Sequence, residues 1–439
     1  MLKIFLGLKY LHKAKIVLLS VAAVAMSSAL LIVVSSLFTS YIDAVEKTGR
    51  ESFGDIYLNP GTSIPHTREL LERVRRLPRI ARATSAIDIY GLLRLDTGNI
   101  RAVRVWGIEW DSYSEITGLS EALLCGDRDS TPFSGENPGI VGIGVLESPD
   151  EVTDEYDFGR LQQEWVGKDV ILTTGSLSGS GSSTRLRQKH LKFNISDISF
   201  TGMYLRDSKD VFIPLNCLRN LIGDFPVYKS GPHEIFMLKA AEGSEPEQVL
   251  PAVRKIWRDF AEEYSLPDFV TRNAVLETSG NLQAYYIAEL RKQMKVLILV
   301  FGIICSAGIL LIFCIFYMIV KMKQKDIAVI KSCGMSDSGT AGIFLLFSTL
   351  IGSAGSLLGV LIGFLLIRNI NILEDWLRRV SGLKLWKSST YMFEKIPDQI
   401  NWEAAAWVVV FSIIAAVIGS LIPSFIAACT RPANLLRYE

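Results

Sequence analysis

The sequence predicts an α-helical membrane protein with four transmembrane helices, one followed at a distance by three, and a large extracytoplasmic α+β domain of two lobes. Four apolar runs carry the first part of that statement: Ile16–Tyr41, Lys295–Val320, Ala341–Ile367 and Ala404–Thr430. Each reaches the ~20 residues that a helix needs to cross the hydrocarbon core of a bilayer. The second part rests on what lies between the first two runs. That stretch is more than half of the chain, and it is polar, turn-rich and alternating in hydrophobicity. Composition agrees with such a mixture. Hydrophobic residues make up 49% and charged residues 21%, with mean hydropathy +0.30. This is too apolar for a soluble enzyme and too charged for a bare helical bundle.

Charge placement orders the elements. Segment 1–15 is an amphipathic start with Lys3, Lys9, Lys13 and Lys15 and no acid, and 16–41 is the first span. A cleaved signal peptide is the competing reading there. The apolar core outruns the ~7–15 residues of a signal core, and no clear A-x-A site follows. The second span is 295–320. The loop 321–340 after it holds Lys321, Lys323, Lys325 and Lys331 against Asp326 and Asp337. The third span is 341–367 and the fourth 404–430, and the tail 431–439 holds Arg431 and Arg437 against Glu439. Excess Lys and Arg marks cytoplasmic segments, so the start, the 321–340 loop and the tail face the cytoplasm. The domain 42–294 and the loop 368–403 then face outward.

Within 42–294, Ile42–Phe53 continues the first helix and Asp55–Leu58 is a short strand before the turn residues Asn59, Pro60 and Gly61. Thr67 caps a helix through Leu77 with Leu70, Leu71 and Val74 on one stripe. Ile87–Tyr90, Leu93–Leu95 and Ala102–Trp106 alternate as strands, and Asp96–Asn99 closes a hairpin. Further strands are expected at Gly139–Val145, Asp169–Thr173, Phe193–Tyr204, Val211–Pro214 and Glu234–Leu238. A helix follows at Glu245–Tyr264 and a last strand at Phe269–Thr271. From Asn273 a helical pattern runs into the second span. Strand–helix–strand pieces flanking a β-rich insert give the two lobes.

Much chemistry is missing. His12, His66, His190 and His233 are scattered without metal spacing. The Gly/Ser tract Gly175–Ser183 lacks both a nucleophile elbow and the Lys-Ser/Thr ending of a phosphate loop, and reads as a solvated loop. Ser381–Lys384 fits SxxK without the companion motifs. Of six cysteines, only Cys125 and Cys217 face an oxidising space; a bridge is open to them, two unpaired buried thiols being the alternative. No CxxC pair exists to hold a metal. A net charge of +1 offers no field for nucleic acid. No Asp, Glu, Lys, Arg or His sits inside a span, Lys295 standing only at the edge of the second, whereas an ion-coupled carrier would need such groups at membrane depth.

Three features remain. Gly355, Gly359 and Gly363, with Gly352, Ser348 and Ser356 beside them, give the third span a small-residue face for another backbone. Pro423 bends the fourth span near its inner end. In the 368–403 loop, Ile372, Leu373, Trp376, Leu377 and Val380 stripe a helix opposite Glu374, Asp375, Arg378 and Arg379. Such a helix lies on the outer membrane surface, with Trp386, Tyr391, Trp402 and Trp407 anchoring at the same level. The segment Lys323–Ser336 is a short amphipathic helix stopped by Gly334, with Ile327 and Ile330 on one side and Lys325 and Lys331 on the other. By itself it suits either a partner's groove or the membrane interface.

That segment resembles the signature of the FtsX-like ABC permease family: basic residues and an acid (Lys325, Asp326), then Ile327, Ile330 and Lys331, leading to Gly334, Met335 and Ser336. Asp326 replaces a common Glu, and Cys333 a common Ala or Met. The ending, from Ile396 and Pro397 through Pro423 to Arg431–Glu439, resembles the lipoprotein-releasing permeases of the LolC/LolE type. Phe5–Leu11 and Gly202–Leu215 do so as well, whereas Gly107–Ser199 matches thinly. The resemblance implies a permease subunit of a bacterial inner membrane, with both termini cytoplasmic and the large domain periplasmic. It implies two copies of a separate cytoplasmic ATPase that hold the ATP and Mg, no cofactor on this chain, and a second permease, the same or related. Lipoprotein cargo, a periplasmic lipoprotein carrier and membrane lipid complete the partners, with no nucleic acid. Lys325, Asp326, Ile327, Ile330, Lys331, Gly334, Met335 and Ser336 become the segment seated on the ATPase. Relatives with other tasks give two alternatives: an efflux mechanotransmitter for peptides or antibiotics, and a regulator of a cell-wall hydrolase that transports nothing.

Overall fold

The computed structural model describes residues 15–96, 98–126, 131–150, 153–178, 185–223, 227–228, 231–322, 324–332, 334–382, 384, 386–393 and 395–429. The basic start, the tail 431–439 and most of the Gly/Ser tract lie outside the described residues. The chain divides into two units. One, helical, takes 1–43, 288–373 and 396–439; the other, built on a sheet, takes 44–287 and 374–395.

Six helices lie wholly or partly in the helical unit: α1 Lys15–Phe53, α2 Ser279–Met322, α3 Gln324–Ser332, α4 Asp337–Arg368, α5 Ile370–Ser381 and α6 Trp402–Cys429, with α1, α2 and α5 also contributing residues to the sheet unit. Four stretches of them, Val17–Phe53, Ile287–Met322, Asp337–Arg368 and Trp402–Cys429, are long and apolar enough to cross a membrane. At about 1.5 Å per residue, even the 28 residues of α6 exceed a ~30 Å hydrocarbon core. The unit's centre gathers Val17, Val24, Ile312, Phe316, Phe347, Ile351 and Ala416, with the Phe316 and Phe347 rings edge to face. Hydroxyls tie the helices where apolar contact gives no preference over lipid. Ser28 Oγ meets Ser412 Oγ at 2.8 Å, and Ser420 Oγ donates to Ser348 Oγ at 2.7 Å. Asn401 caps α6 by accepting from the Ala404 amide, while its own amide groups donate to Ser36 Oγ and Thr39 Oγ1 of α1. Pro423 sits buried inside α6, which continues through it.

The sheet unit has nine strands: β1 Ile56–Asn59, β2 Ile80–Arg94, β3 Ile100–Ile108, β4 Pro138–Gly142, β5 Asp169–Ser178, β6 Arg185–Ser199, β7 Asp210–Pro214, β8 Glu234–Ala240 and β9 Val275–Thr278. They form one mixed sheet in the order β3-β7-β4-β6-β5-β2-β8-β1-β9. The β3–β7 and β4–β6 pairs are parallel and the others antiparallel. Strand β2 organises it. Its later half pairs with β3 and puts Ile87, Ile89 and Leu93 into a core with Val105, Val141, Leu172, Phe193 and Val211. Its first half pairs with β8 and puts Ile80 and Ala83 into a second core, with Leu58, Leu70, Trp257 and Phe260. Ala86 between them joins a third cluster around Trp106, Tyr113 and Phe212. Where α1 and α2 enter this unit they lie close, and a Cβ on Gly49 would stand 2.1 Å from the Gln283 amide.

Several expected boundaries move. Phe269–Thr271 lies in a helix, Asp268–Asn273, opened by the Pro267 carbonyl, which accepts from the Val270 amide. The last strand is β9, and the helical run starts at Ser279 rather than Asn273. Strand β4 stops at Gly142, where a Cβ would meet the Asp207 carbonyl at 2.4 Å, and Ile143–Leu146 then forms a helical turn. Strand β6 ends at Ser199, and Tyr204 opens a turn of helix through Asp207. Thr67 is the first residue of its helix rather than the cap. His66 takes the cap position with φ 56° and no side-chain bond, and the helix stops at Arg75. Cys125 and Cys217 are free thiols, the first exposed and the second half-buried rather than fully buried.

One buried acid has a measurable signature. The Asp207 carboxylate is sealed behind β4 and accepts from the Thr201 amide and hydroxyl, both at 2.8 Å. Burial outweighs these bonds and pushes its carboxyl up to about 6. The folded state therefore holds a proton that the unfolded chain, near 3.8, has released. The stabilisation from that proton is complete below about pH 4 and is lost as pH rises through about 6. Relative to Asp207→Asn, the wild-type protein should lose up to about 3 kcal/mol between those limits. Thermal denaturation in detergent from pH 4 to 7.5 checks this, through a melting-temperature gap that grows in the variant's favour with pH.

Candidate functional site

The connection between α2 and α4 is the region where sequence places partner chemistry. Helix α3 forms because one face of it is apolar and has somewhere to go. Ile327 is 4% exposed and packs on Val320 of α2 and Ala427 of α6, and Ala328 beside it is buried. Gly334 ends the turn after α3 with φ 95°, a backbone conformation that favours glycine, and its amide donates to the Lys331 carbonyl. Ser336 then caps α4, its hydroxyl accepting from the Gly339 amide at 3.2 Å. Met335 is half-buried, whereas Gly334 and Ser336 are exposed.

Lys331 does not stand opposite Ile327. Four residues apart on a helix, the two share a face. The Lys331 stem follows the apolar side, and its ammonium donates to the Ala428 carbonyl at 2.5 Å and pairs with Asp337 at 2.7 Å. It thus meets the last turn of α6 and the first turn of α4, where a cation and an anion respectively suit the helix dipoles. With the side chain only 10% exposed, Lys331 fastens α3 to two span ends and offers little to a partner. The outward side carries Val329, 53% exposed. The side chains of Lys325, Asp326 and Ile330 lie outside the described residues, though their backbones belong to α3.

The small-residue face of α4 is divided between two neighbours. A Cβ on Gly355 would meet Val24 at 2.7 Å, one on Gly359 would meet Ser28 at 2.6 Å, and one on Gly363 would meet Ile32 at 3.2 Å, all on α1. Gly352 instead faces α6, where a Cβ would stand 2.9 Å from that of Ala416. Sequence reading overlooked Gly419, whose backbone approaches Ile309 of α2. The small run Gly419, Ser420 and Ser424 on α6 is the signal that could have found it. Among the described residues no group of three His, Cys, Asp or Glu gathers as metal ligands would.

Similarity to known proteins follows these features. Residues 298–431, which contain α3, α4 and α6, match the family described as FtsX-like permease C-terminal. The chain is 25% identical over 463 residues to the lipoprotein-releasing system transmembrane protein LolC of Neisseria meningitidis, covering 100% of this chain and 99% of that one. It is 29% identical over 387 residues to the lipoprotein-releasing system transmembrane protein LolE of Haemophilus influenzae, covering 85% and 81%. A solved structure of the periplasmic region of MacB from Actinobacillus actinomycetemcomitans aligns at 11% identity with TM-score 0.31, covering 53% of this chain and 91% of that one.

Residues 298–431 thus form an FtsX-like permease domain, in a chain with four helices long and apolar enough to cross a membrane and a sheet domain between the first two. Over its full length the chain is similar to transmembrane proteins of lipoprotein-releasing systems, and over most of it to LolE as well as LolC.

Its helix packing is open to a direct check. Gly359→Leu drives a side chain into Ser28 and the Ala25 carbonyl, and overpacking of this kind costs about 1–3 kcal/mol. Gly342→Leu, with nothing within 4 Å of its Cβ, is the control. Gly359→Leu should lower the apparent melting temperature in detergent by several degrees and Gly342→Leu should leave it in place.

Proposed function

We propose that this permease couples ATP hydrolysis by a separate ATPase subunit to the extraction of lipoproteins from the outer face of the bacterial inner membrane. The observation that carries the reading is the reach of the likeness to LolC, which spans the whole chain, sheet domain included, rather than the helical part alone. In this reading α3 and both termini are cytoplasmic and the sheet unit is periplasmic. Two ATPase copies hold the nucleotide and Mg, a second permease completes the membrane part, and a soluble carrier receives the cargo.

The chemistry required is mechanical. An anchor of three acyl chains holds on the order of 30 kcal/mol in the bilayer at about 0.8 kcal/mol per methylene. Removing it demands coupled work and an apolar surface, and no bond in the cargo need break. Helix α3 suits the input end. Its Ile327 packs against α2 and α6, and its Lys331 holds α4 and α6, so a push on the Val329 side reaches three spans at once. Continuous α1 and α2 carry the displacement onward, since each also contributes residues to the sheet unit.

Reconstitution with the ATPase and a carrier tests the proposal, read as lipoprotein transferred per ATP hydrolysed. Ile327→Asp puts a carboxylate in the apolar seat of α3 and should abolish release while the chain still inserts. Lys331→Met removes a charge-assisted bond worth about 1.5–3 kcal/mol, so coupled turnover should fall roughly tenfold or more. Lys331→Arg should restore most of it, and ATPase subunits should co-purify with all three variants. Release unchanged by Ile327→Asp and Lys331→Met would remove α3 from the mechanism. A channel adaptor or a murein hydrolase in place of the lipoprotein carrier, in a detergent pull-down, would overturn the cargo.

A further inference from the structure

Helix α5 is amphipathic in the reverse of the usual sense. On a water-exposed surface the apolar face of such a helix turns inward; here it is the bare one. Ile372, Leu373, Trp376 and Val380 are 66%, 43%, 57% and 66% exposed. Asn371, Glu374 and Arg378, on the opposite face, are all engaged. Asn371 bonds both the amide and the carbonyl of Ile396, and Glu374 accepts from the Trp386 amide. Arg378 donates to the Thr153 carbonyl at 3.0 Å and pairs with Glu155 and Asp375.

The chain after α5 is fastened the same way. Lys384, 8% exposed, donates to the Thr153 carbonyl and pairs with Asp154, itself 9% exposed. The Asp154 carboxylate also accepts from the Ser388 amide at 2.9 Å. Trp386 stacks on Tyr391 at 4.2 Å and donates to the Phe393 carbonyl. The polar edge of α5 is therefore held by fixed, partly buried charges. Its orientation is built in, and rotation about its axis would break several of these bonds.

We infer that α5 is an interfacial foot whose apolar stripe beds in the boundary between lipid headgroups and acyl chains. Three observations select lipid as the occupant. A single residue, Asn369, separates α5 from α4, so α5 begins where a 32-residue apolar helix ends. Trp376, a residue type enriched at membrane interfaces, stands within the stripe. Exposed Arg379 and Lys387 flank it, as cations flank interfacial helices facing anionic headgroups. The inference is independent of the cargo assigned above.

Single cysteines at 372, 376, 379 or 380, in a full-length variant whose six native cysteines are replaced, can carry the environment-sensitive dye NBD. The protein is placed in nanodiscs of phosphatidylethanolamine and phosphatidylglycerol. Nitroxide lipids labelled near the headgroup should extinguish NBD emission at 372, 376 and 380, while aqueous iodide extinguishes it at 379. Emission at the three stripe positions lost to iodide would sink the inference by showing a hydrated face. Emission protected from both quenchers would sink it in favour of a protein cover, such as a second permease. A readout without labels guards against misfolding: brominated lipid should quench the wild-type tryptophan emission by more than that of Trp376→Phe, and equal quenching would contradict the foot.

Discussion

The helical unit depends on a backbone contact that side chains would prevent. Gly355 and Gly359 of α4 lie so near α1 that a single added carbon at either would collide with Val24 or Ser28. Within lipid no hydrophobic gain draws helices together, and close packing with a few hydrogen bonds must serve instead. The contact closes the chain on itself, since Ser28 meets Ser412 across 384 positions of sequence. It also fixes which helices form the inner group. α4 is wedged between α1, through Gly355, Gly359 and Gly363, and α6, through Gly352 and the Ser348–Ser420 bond. α2 touches the group chiefly through Ile312, Phe316 and the approach of Gly419, leaving Leu299, Ile303 and Leu310 bare. Among the described residues of the four long helices, the apolar window of α2 is the least buried.

At one end of this group α3 is held by complementary means. Ile327 supplies area and Lys331 supplies direction. Apolar contact alone would let a nine-residue helix slide or roll, because area has no preferred azimuth. The ammonium of Lys331 between the Ala428 carbonyl and the Asp337 carboxylate removes that freedom. Its two partners terminate different spans, so neither α4 nor α6 can shift axially without α3 registering it. That property suits a coupling element and needs no catalytic group.

The sequence made some of this legible and hid the rest for definite reasons. The apolar runs, the Asp96–Asn99 hairpin and the glycine face of α4 obey local rules of length, turn chemistry and spacing. The side on which Lys331 lies is hidden because charge on a short helix points outward by default, whereas its long stem lies on apolar surface and carries its head to the Ala428 carbonyl. The boundaries at Gly139–Val145, Phe193–Tyr204 and Phe269–Thr271 differ from the expected ones, each in an apolar run with strand character. Helical turns take over at Ile143–Leu146, Tyr204–Asp207 and Asp268–Asn273. Strand order was invisible because β2 serves three cores, and no local pattern announces that Ile80 and Leu93 of one strand lie in different ones. Nor does an Asp in a polar stretch announce that burial will leave Asp207 titrating near 6.

The fastening of α5 constrains how a sheet domain of this kind can move. Lys384 and Asp154 are both nearly sealed from water, and separating a buried pair leaves charges whose desolvation is unrepaid, about 3–5 kcal/mol. Arg378 on the Thr153 carbonyl adds to that barrier. Thermal motion will therefore seldom part Arg378, Lys384 and Ser388 from Thr153, Asp154 and Glu155, and these residues travel with the sheet. If the stripe of α5 is bedded in lipid, the loop around Asp154 is moored at the membrane surface. Displacement of the sheet must then pivot about that mooring or draw Ile372, Trp376 and Val380 out of lipid. At 25 cal/mol per Å² of apolar surface exposed to water, withdrawing several large side chains costs several kcal/mol, so the pivot is the cheaper motion.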